Sequence, residues 1–585
     1  MKKNLVLLPL LLLVLCTCST QKENDAEEHF FAALQLEKSS PELAESFYKK
    51  AAKAAGNEAL KKASEEKLLS YTQEKTGEES TIDDVERAVR LAASLSGEYR
   101  HRQALEEFRL VINQRPQVFI EQPDLIAALG RAFQYAGKDD EGINLMLAWA
   151  NDSGNAAHAE ARYLLLFYSG RIARARSLNK IPTAYSAETL FREAYELAPD
   201  AEQKDACIWY ILDVSGTANM QSLLRYYIPQ MHDISYFDDI FKRYCRTLTV
   251  QRNWTAMQEI YELLPPGKCA SKAQYAYILS REFPTKPAFK SAIAREPEIS
   301  ALYYRIMAGF PVDLTANDAN HANDIKKSPA SFLLAFFKWN CAEYLQPYLD
   351  EYREELSIEE LRAIAEGYYK LDLWEEALRV AVNYMARPDY TLDRQDFIYA
   401  YPEAYKEYVE RYAAEYSLHP AILYGLLRTE SYFAADAVSS AAAQGLAQLM
   451  PETALDMAGR IARAGGPDYR IKDSKGEWTA VDYHNPEASI HIGAYYLRYL
   501  RNRMENMMMA LLAYNAGMGR VKRWRTAASD LPMDIFVETL DFEETREYGK
   551  RILSASAVYG SLYFGLSMEQ IAADIYNDDY SKVEP

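Results

Sequence analysis

The chain has 585 residues, a formal net charge of −18 and 49% hydrophobic residues. This length allows several domains, and this apolar content is enough for folded cores, so disorder is not expected. Nucleic-acid binding requires a basic stripe of lysine and arginine, and the acidic chain shows none, so we expect no nucleic-acid partner. We interpret the acidic surface as an aid to solubility.

Residues 1–18 differ from the rest of the chain. Two lysines precede the apolar run Leu5–Leu15, which is too short to span a bilayer and is typical of an export signal. A plain cleaved signal peptide has no use for the cysteines that follow. The segment resembles a bacterial lipoprotein signal, which implies lipid attachment at Cys18, because a bulky leucine directly precedes Cys16. Ser19, in place of Asp, favours the outer membrane, so we expect an anchored periplasmic protein.

Residues 19–400 are predicted to form an α-helical solenoid, because Ala, Leu, Glu, Lys and Tyr dominate and β-branched runs are scarce. A spacing of a small residue, an aromatic, a second small residue and then Pro or Gly recurs, as in Ala187, Phe191, Ala194 and Pro199. It resembles tetratricopeptide-like (TPR-like) helical hairpins, in which small residues let helices approach and the aromatic fills the gap. The matches are degenerate, so a generic solenoid is the safer prediction.

The chain contains 44 tyrosines, many of them in the predicted solenoid. We interpret most of these as packing between helices, with the hydroxyl reaching water. A minor alternative is that the concave face of the solenoid holds a polymer. The solenoid is also the candidate surface for cell-envelope protein partners.

Four cysteines lie far apart and show no metal-ligand spacing: Cys207, Cys245, Cys269 and Cys341. We expect buried free thiols; disulfides formed after export are the alternative, with pairings that sequence does not decide. Three histidines also lack metal-ligand spacing: His419, His484 and His491. We therefore expect structural histidines, no metal and no cofactor.

A compact domain is predicted over residues 401–566, followed by a short helix and an acidic tail over residues 567–585. Inside the domain, a helix carries a stripe of leucines, and Glu430 stands where the stripe predicts another leucine. The carboxylate should therefore point inward. Burial disfavours the charged form and raises the pKa, which suits a proton donor for glycosidic-bond cleavage. An ion pair with Arg428 is the structural alternative.

Four segments of this domain form a recognisable series. They are TESYF at 429–433, GLAQLMPETA at 445–454, AYNAGMGRV at 513–521 and FEETREYGKRIL at 542–553. In this order and spacing the domain resembles the catalytic domain of the soluble lytic transglycosylases, which have a goose-type-lysozyme-like fold. The resemblance implies a mainly α protein, in which a TPR-like superhelix precedes a lysozyme-like, mostly helical catalytic domain.

The resemblance also implies a reaction, cleavage of the β-1,4 bond between MurNAc and GlcNAc in peptidoglycan with formation of 1,6-anhydro ends. Glu430 would act first as acid and then as base, and the N-acetyl group of the substrate would be the nucleophile. A usual two-carboxylate glycosidase needs a second carboxylate. Asp436 is the nearest candidate, but we interpret it as a turn residue, and Glu452 as a partner of a helix dipole.

Further positions of the family line the cleft or steady the intermediate. The expected substrate-binding residues are Ser431, Ser439, Gln448, Met450, Tyr514, Asn515, Glu544 and Tyr548. Three of them have structural alternatives, since Ser431 can bond backbone, Met450 can belong to the core and Asn515 can shape a turn. Arg546 is expected to hold a buried carboxylate by bidentate pairing.

The chain departs from the family pattern at four positions: Ala442 in place of Gly, Ala447 in place of Met, Asp541 in a turn, and Gly549 in place of a β-branched residue. We expect Ala447 to open space near the cleft. The segment 460–484 is long for the family and is expected to cover the cleft as a loop. Its Trp478 is either a sugar contact or, more in keeping with a loop, a packed anchor.

Two other functions remain as alternatives. The first is a muramidase, which would use water in the same fold. The second is a scaffold without enzymatic activity, in which the solenoid binds envelope proteins and the terminal domain only holds glycan. The intact TES and AYNAG segments argue against the scaffold.

Overall fold

The computed structural model describes residues 20–75, 84–314, 329–504 and 506–577. Regular structure in these ranges is helical apart from one two-stranded sheet, which confirms the mainly α prediction. No helix in the described ranges is both long and apolar enough to cross a membrane. The predicted signal segment with Cys18, and the end of the acidic tail, lie outside the described residues.

The first part of the solenoid consists of helices joined mainly by short turns, and helices that are neighbours in the chain pack against each other. These helices are α1 (Thr20–Leu36), α2 (Pro41–Ala54), α3 (Glu58–Lys75), α4 (Asp84–Gly97), α5 (His101–Gln114), α6 (Val118–Glu121), α7 (Asp124–Tyr135), α8 (Asp139–Ala150), α9 (Ala159–Leu178), α10 (Ala187–Leu197) and α11 (Ala201–Val214).

The second part continues in the same way up to the C-terminal domain. Its helices are α12 (Thr217–Tyr227), α13 (Asp238–Gln251), α14 (Trp254–Leu263), α15 (Ala270–Glu282), α16 (Pro287–Ile293), α17 (Leu302–Ala308), α18 (Pro329–Lys338), α19 (Gln346–Tyr352), α20 (Ile358–Tyr369), α21 (Trp374–Met385) and α22 (Arg394–Ala400). Short 3₁₀ turns occur at Ser153–Asn155, Ile228–Gln230, Ile234–Phe237 and Ala342–Tyr344.

The recurring spacing has a visible packing role at α10. The helix begins after Ser186, whose side chain accepts the amide of Thr189 and so caps the first turn. Phe191 is fully buried and stacks on Tyr210 of the next helix, with the ring centroids 4.6 Å apart. A Cβ placed at Gly170 of α9 would lie 2.8 Å from the Phe191 ring. The glycine therefore allows the close approach that the aromatic then fills.

The N-terminal helices return to a distant part of the solenoid, around α18. Phe30 of α1 is fully buried and meets Phe332 edge to face, with the ring centroids 5.5 Å apart. The side-chain amide of Asn57 donates to the Ser331 hydroxyl at 2.8 Å. The solenoid is therefore closed by contacts between segments that lie more than 270 residues apart in the chain.

The C-terminal domain is built around one long helix, α30, which packs against α24, α27 and α31 and also against α17 of the solenoid. Its elements are α23 (Lys406–Glu415), α24 (Pro420–Ser431), α25 (Pro451–Arg463), β1 (Arg470–Lys472), β2 (Trp478–Val481), α26 (Pro486–Arg501), α27 (Met507–Ala516), α28 (Met518–Ala527), α29 (Met533–Thr539), α30 (Glu543–Tyr563) and α31 (Met568–Asn577).

The segment expected as a loop contains a short antiparallel ribbon. Arg470 lies opposite Val481, Ile471 opposite Ala480, and the register shifts before Lys472. The strands have only three and four residues, and most of their side chains are half-buried or exposed, so no alternating pattern marks them in the sequence. The ribbon packs against α25.

The cysteine prediction is confirmed for the described residues, where Cys207, Cys245, Cys269 and Cys341 are free and buried.

The three histidines of the C-terminal domain take different positions. His419 caps α24 by accepting the amide of Ala421. His491 is buried and stacks on Tyr412 with the ring centroids 3.9 Å apart, whereas His484 is exposed.

Candidate active site

Helix α24 carries Glu430 toward α30 because its apolar face is buried. Leu423, Leu426 and Leu427 are fully buried, as the leucine stripe predicts. A Cβ at Gly425 would lie 2.4 Å from the Ser556 hydroxyl oxygen of α30, so only glycine fits between the two helices. This close contact places the last turn of α24 directly beside α30.

Glu430 lies half-buried at this contact and accepts a hydrogen bond from the Tyr548 hydroxyl of α30. Burial raises the pKa of Glu430 from 4.5 to about 8. The hydrogen bond from Tyr548 and the charge of Arg551 oppose this rise, whereas Glu544 adds to it. The carboxyl group therefore keeps its proton at neutral pH and is suited to act as a general acid.

The chain turns sharply after Glu430, and Ser431 holds the turn. The next two residues, Tyr432 and Phe433, have φ of 52° and 67°, in the left-handed region that side chains usually avoid. The buried Ser431 hydroxyl donates to the carbonyl of Leu446 at 2.9 Å and accepts the amide of Phe433 at 3.2 Å. The assignment of Ser431 to substrate is thus corrected: its hydroxyl is occupied by backbone.

The loop after this turn carries the next predicted residues. Ser439 is half-buried, and its hydroxyl accepts the amide of Ala443 at 3.0 Å. Gln448 donates both amide hydrogens to backbone, to the carbonyls of Ala437 at 3.0 Å and Gly445 at 2.9 Å. Its side-chain oxygen is therefore the part that remains suited to a substrate. Met450 is 47% exposed, so the core alternative does not hold.

Helix α27 contributes Tyr514 and Asn515. The Tyr514 hydroxyl donates to the carbonyl of Ala447 at 2.9 Å, which ties α27 to the loop after Glu430. The Asn515 side chain donates to Glu544 at 3.1 Å and accepts the Thr545 hydroxyl at 2.6 Å. Asn515 therefore joins the end of α27 to the start of α30, which agrees with its structural alternative.

Sequence reasoning did not single out three residues that shape this site. Gly425 sets the contact between helices, Arg551 acts on the charge of Glu430, and Thr545 orients Asn515. A signal was present for two of them, because Thr545 and Arg551 lie three residues before and after Tyr548 and so share its helix face. Gly425 carried no signal, because a close helix approach depends on the partner helix.

The departures from the family pattern are explained in part. Ala442 has a φ of 67°, a conformation that favours glycine. Ala447 is fully buried, and a Cβ at Gly493 of α26 would lie 2.6 Å from the Ala447 Cβ, so Ala447 does not open the cleft. That expectation is wrong because α26 occupies the space. Gly549 similarly lets Leu512 of α27 approach.

Two other expected roles, those of Arg546 and Trp478, can be compared with the structure. Arg546 is buried, but its one close hydrogen bond goes to the carbonyl of Leu540 at 2.9 Å, and its nearest carboxylate, Glu547, lies 3.4 Å away. The prediction of a bidentate pairing of Arg546 with a carboxylate is therefore wrong.

Trp478 is 37% exposed, with Arg470 and Lys472 over its ring at 4.3 Å and 4.6 Å. These cations cover the ring, which favours its interpretation as a packed loop anchor.

Residues 407–536 match the family model described as the transglycosylase SLT domain. This range contains Glu430 and the predicted residues up to Asn515, and it ends before Glu544 and Tyr548.

Two relatives match this chain over segments about as long as the SLT domain match. The soluble lytic murein transglycosylase of Salmonella typhimurium is 34% identical over 161 residues, which cover 27% of this chain and 23% of that protein. The membrane-bound lytic murein transglycosylase C of Histophilus somni is 30% identical over 129 residues, 21% of this chain and 33% of that protein. The chain thus spans 23% of the length of the first relative and 33% of the length of the second.

Among solved structures, the 70 kDa soluble lytic transglycosylase of Escherichia coli aligns with 95% of this chain and 99% of that chain, at 16% identity and a TM-score of 0.49. A likeness of this size adds nothing to the sequence matches. The C-terminal domain of this chain is therefore similar in sequence to the transglycosylase SLT domain and to the matching segments of these lytic murein transglycosylases.

Proposed function

We propose that this protein is a peptidoglycan lytic transglycosylase that cleaves the β-1,4 bond between MurNAc and GlcNAc. The observation that carries the proposal is Glu430, a half-buried carboxyl group that accepts a hydrogen bond from Tyr548 of α30 and whose pKa is raised by burial to about 8. The transglycosylase domain match and the names of the relatives support the substrate class.

The proposed reaction uses Glu430 twice. Its proton goes to the leaving oxygen of GlcNAc while the N-acetyl oxygen of MurNAc attacks the anomeric carbon. The resulting carboxylate then takes the proton of the MurNAc C6 hydroxyl. The C6 oxygen attacks the anomeric carbon, and the bond between that carbon and the N-acetyl oxygen breaks. The product carries a 1,6-anhydro ring, and Glu430 has recovered its proton.

The positions of the other carboxylates favour this single-glutamate reaction. Asp436 is exposed in the loop after Glu430, and its charge acts on Glu376 of α21 and on Tyr405. Glu452 is exposed in the first turn of α25. Glu544 is the carboxylate that acts on Glu430, and the Asn515 amide holds it.

We further propose that the protein is exported to the periplasm and anchored to a membrane, with the outer membrane favoured, by a lipid on Cys18. The export signal over residues 1–18 and the absence of Asp after the cysteine support this proposal. The proposed partners are peptidoglycan strands at residues 401–566 and cell-envelope proteins along the solenoid over residues 19–400.

Digestion of purified peptidoglycan followed by mass measurement of the fragments tests the activity. We expect ends that are lighter by one water than hydrolytic ends, whereas ordinary reducing ends would make the protein a muramidase. Glu430→Gln should lower the rate by about 10²- to 10⁴-fold while binding of insoluble peptidoglycan persists. Glu452→Gln is the matched control and should cleave normally. If the parent protein binds strands but never cleaves them, the scaffold alternative is correct.

A further inference from the structure

A buried polar cluster joins the solenoid to the C-terminal domain. This interface cluster consists of Gln274 in α15, Tyr304 in α17, Glu538 in α29 and Lys550 in α30, all at most 5% exposed. The Lys550 ammonium donates to Glu538 at 2.8 Å and to the Tyr304 hydroxyl at 2.7 Å. Gln274 donates to Glu538 at 2.7 Å, and the Tyr304 hydroxyl donates to Glu538 at 3.1 Å. Two solenoid residues therefore bind an ion pair of the C-terminal domain.

Glu547 extends the charged face of α30 next to this cluster. Its carboxylate lies 3.4 Å from the Lys550 ammonium and 4.0 Å from that of Lys242 in α13. Burial alone would raise the pKa of Glu547, but Lys550, Lys242 and Arg546 lower it to about 2. The face of α30 that meets the solenoid therefore carries fixed charges, each with a partner, and such contacts depend strongly on geometry.

The opposite face of α30 carries the contact with Glu430. Lys550 follows Tyr548 by two residues, which places the two side chains about 200° apart around the helix axis. Side-chain ends lie about 5 to 6 Å from that axis, so a rotation of about 20° would displace the Tyr548 hydroxyl by about 2 Å. This displacement is enough to break its hydrogen bond to Glu430.

The solenoid also holds the segment that leads into α30. The Arg246 guanidinium of α13 donates to the carbonyls of Thr539 and Leu540, at 3.1 Å and 2.9 Å, and forms an ion pair with Asp541. The start of α30 is thus fixed along its axis, while the interface cluster fixes its rotation.

We propose that Tyr304 and Gln274 of the solenoid are positioning residues for the reaction at Glu430, because they hold the rotation of α30 and thereby aim Tyr548. This inference rests on the proposed function only for its kinetic consequence. The solenoid then has a role in the chemistry in addition to any role in binding partners.

The direction of the expected effect follows from the groups that face Glu430. These are Tyr548, Arg551 and Glu544 on α30, and Tyr514 on α27. The hydrogen bond from Tyr548 opposes the burial that raises the pKa of Glu430, so a looser hydrogen bond raises this pKa further. Because cleavage needs protonated Glu430, its rate falls as pH rises through this pKa, and a higher pKa moves that fall to higher pH.

The test compares Tyr304→Phe with Tyr275→Phe. Both changes remove one buried hydroxyl from the solenoid, but the Tyr275 hydroxyl donates only to the carbonyl of Phe241, within the solenoid. With a soluble peptidoglycan tetrasaccharide as substrate, we expect Tyr304→Phe to lower kcat about tenfold with little change in KM. The alkaline limb of its pH profile, where kcat/KM falls as pH rises, should move to higher pH by about half a unit. Tyr275→Phe should lower Tm but leave the limb in place.

A second variant separates positioning from general loosening. Tyr548→Phe should move the limb further than Tyr304→Phe does, and the double variant should move it no further than Tyr548→Phe alone, since both act through one hydrogen bond. An unshifted limb in Tyr304→Phe, or an added shift in the double variant, would overturn the inference.

A measurement without substrate keeps this inference apart from the proposed function. Carbon-13 labelling of glutamate carboxyl groups, with the Glu430 signal identified by its loss in Glu430→Gln, gives the titration of Glu430 directly. A higher midpoint in Tyr304→Phe but not in Tyr275→Phe supports the inference even if no strand is cleaved. Equal midpoints in both variants and the parent contradict it even if the parent cleaves peptidoglycan.

Discussion

Glu430 is stabilised in its neutral form mainly by burial, and the nearby carboxylate of Glu544 adds a smaller effect. Burial is the main cause of its raised pKa, and the hydrogen bond from Tyr548 and the charge of Arg551 limit the rise. Such a site lowers the stability of the fold, because burial keeps the carboxyl group protonated at pH values at which it would ionise in water.

The raised pKa of Glu430 predicts that Glu430→Gln stabilises the folded protein, and that this stabilisation depends on pH. Between pH 4.5 and about 8 the unfolded chain releases the proton that the native state keeps, so the free energy of unfolding of the parent falls as pH rises. Glutamine has no such proton. The free energy of unfolding of Glu430→Gln, relative to that of the parent, should therefore rise between pH 5 and pH 8 by up to a few kcal/mol, with a matching rise in the Tm difference. Scanning calorimetry at both pH values measures it.

The exposed Glu452 provides the control for this prediction. The Tm difference between Glu452→Gln and the parent should stay nearly constant over the same pH range. A constant difference for Glu430→Gln as well would mean that Glu430 is ionised at neutral pH in the folded protein.

At the residue scale, the sequence was informative where a side chain breaks a periodic pattern. The leucine stripe predicts an inward Glu430, and in the structure this residue is half-buried beside Tyr548, which lies in the FEETREYGKRIL segment. The sequence could not predict that Ser431 is occupied by the carbonyl of Leu446, because that carbonyl is brought near only by the folded loop. The same limit applies to Ala447, whose neighbour is a glycine of another helix.

At the scale of elements, the loop between α24 and α25 stores backbone strain. Ala442 and Gln448 have φ of 67° and 44°, in the left-handed region, and Ala442 is also exposed. An alanine in this conformation loses stability relative to glycine, and an exposed methyl group gains little from packing.

This strain predicts opposite effects for two neighbouring substitutions. Ala442→Gly should stabilise the protein by about 0.5 to 1 kcal/mol, because glycine adopts a positive φ without strain. Ala441→Gly, at an exposed neighbour without a positive φ, should destabilise it slightly through the greater freedom of the unfolded chain. Urea unfolding of both variants measures the two signs. A loss of stability in Ala442→Gly would contradict the strain.

Helices were predictable as elements because they are long and amphipathic, whereas the ribbon of β1 and β2 was not. The prediction of α10 from Ala187, Phe191 and Ala194 matches a helix with Phe191 and Ala194 in its buried face. The ribbon has seven strand residues in all, and one of them, Val481, is buried. Such short strands depend on pairing with each other and on packing against α25, which sequence patterns do not record.

At the scale of the whole molecule, the solenoid is closed by an aromatic cluster. Phe30 is fully buried and contacts Phe332, Phe336 and Tyr48. The closure lies next to Cys341, whose sulfur accepts the side-chain amide of Gln35 at 3.3 Å.

The closure predicts where the solenoid opens first. Phe30→Ala should lower the free energy of unfolding by about 3 to 5 kcal/mol and should speed reaction of Cys341 with a thiol reagent under native conditions. Phe191→Ala, which removes an equally buried ring from the middle of the solenoid, is the matched control. Peptide mass mapping identifies the labelled cysteine. Equally slow labelling of Cys341 in both variants would contradict an opening at this contact.

The charged face of α30 has a practical consequence for fragments of this protein. A fragment beginning near residue 401 would expose Lys550, Glu538 and Glu547 to water, where charges are well solvated, rather than a bare apolar surface. Such a fragment would remain soluble and largely helical while its long central helix had lost its anchor. Good expression and a helical spectrum of an excised domain are therefore poor indicators that its cleft retains the native arrangement.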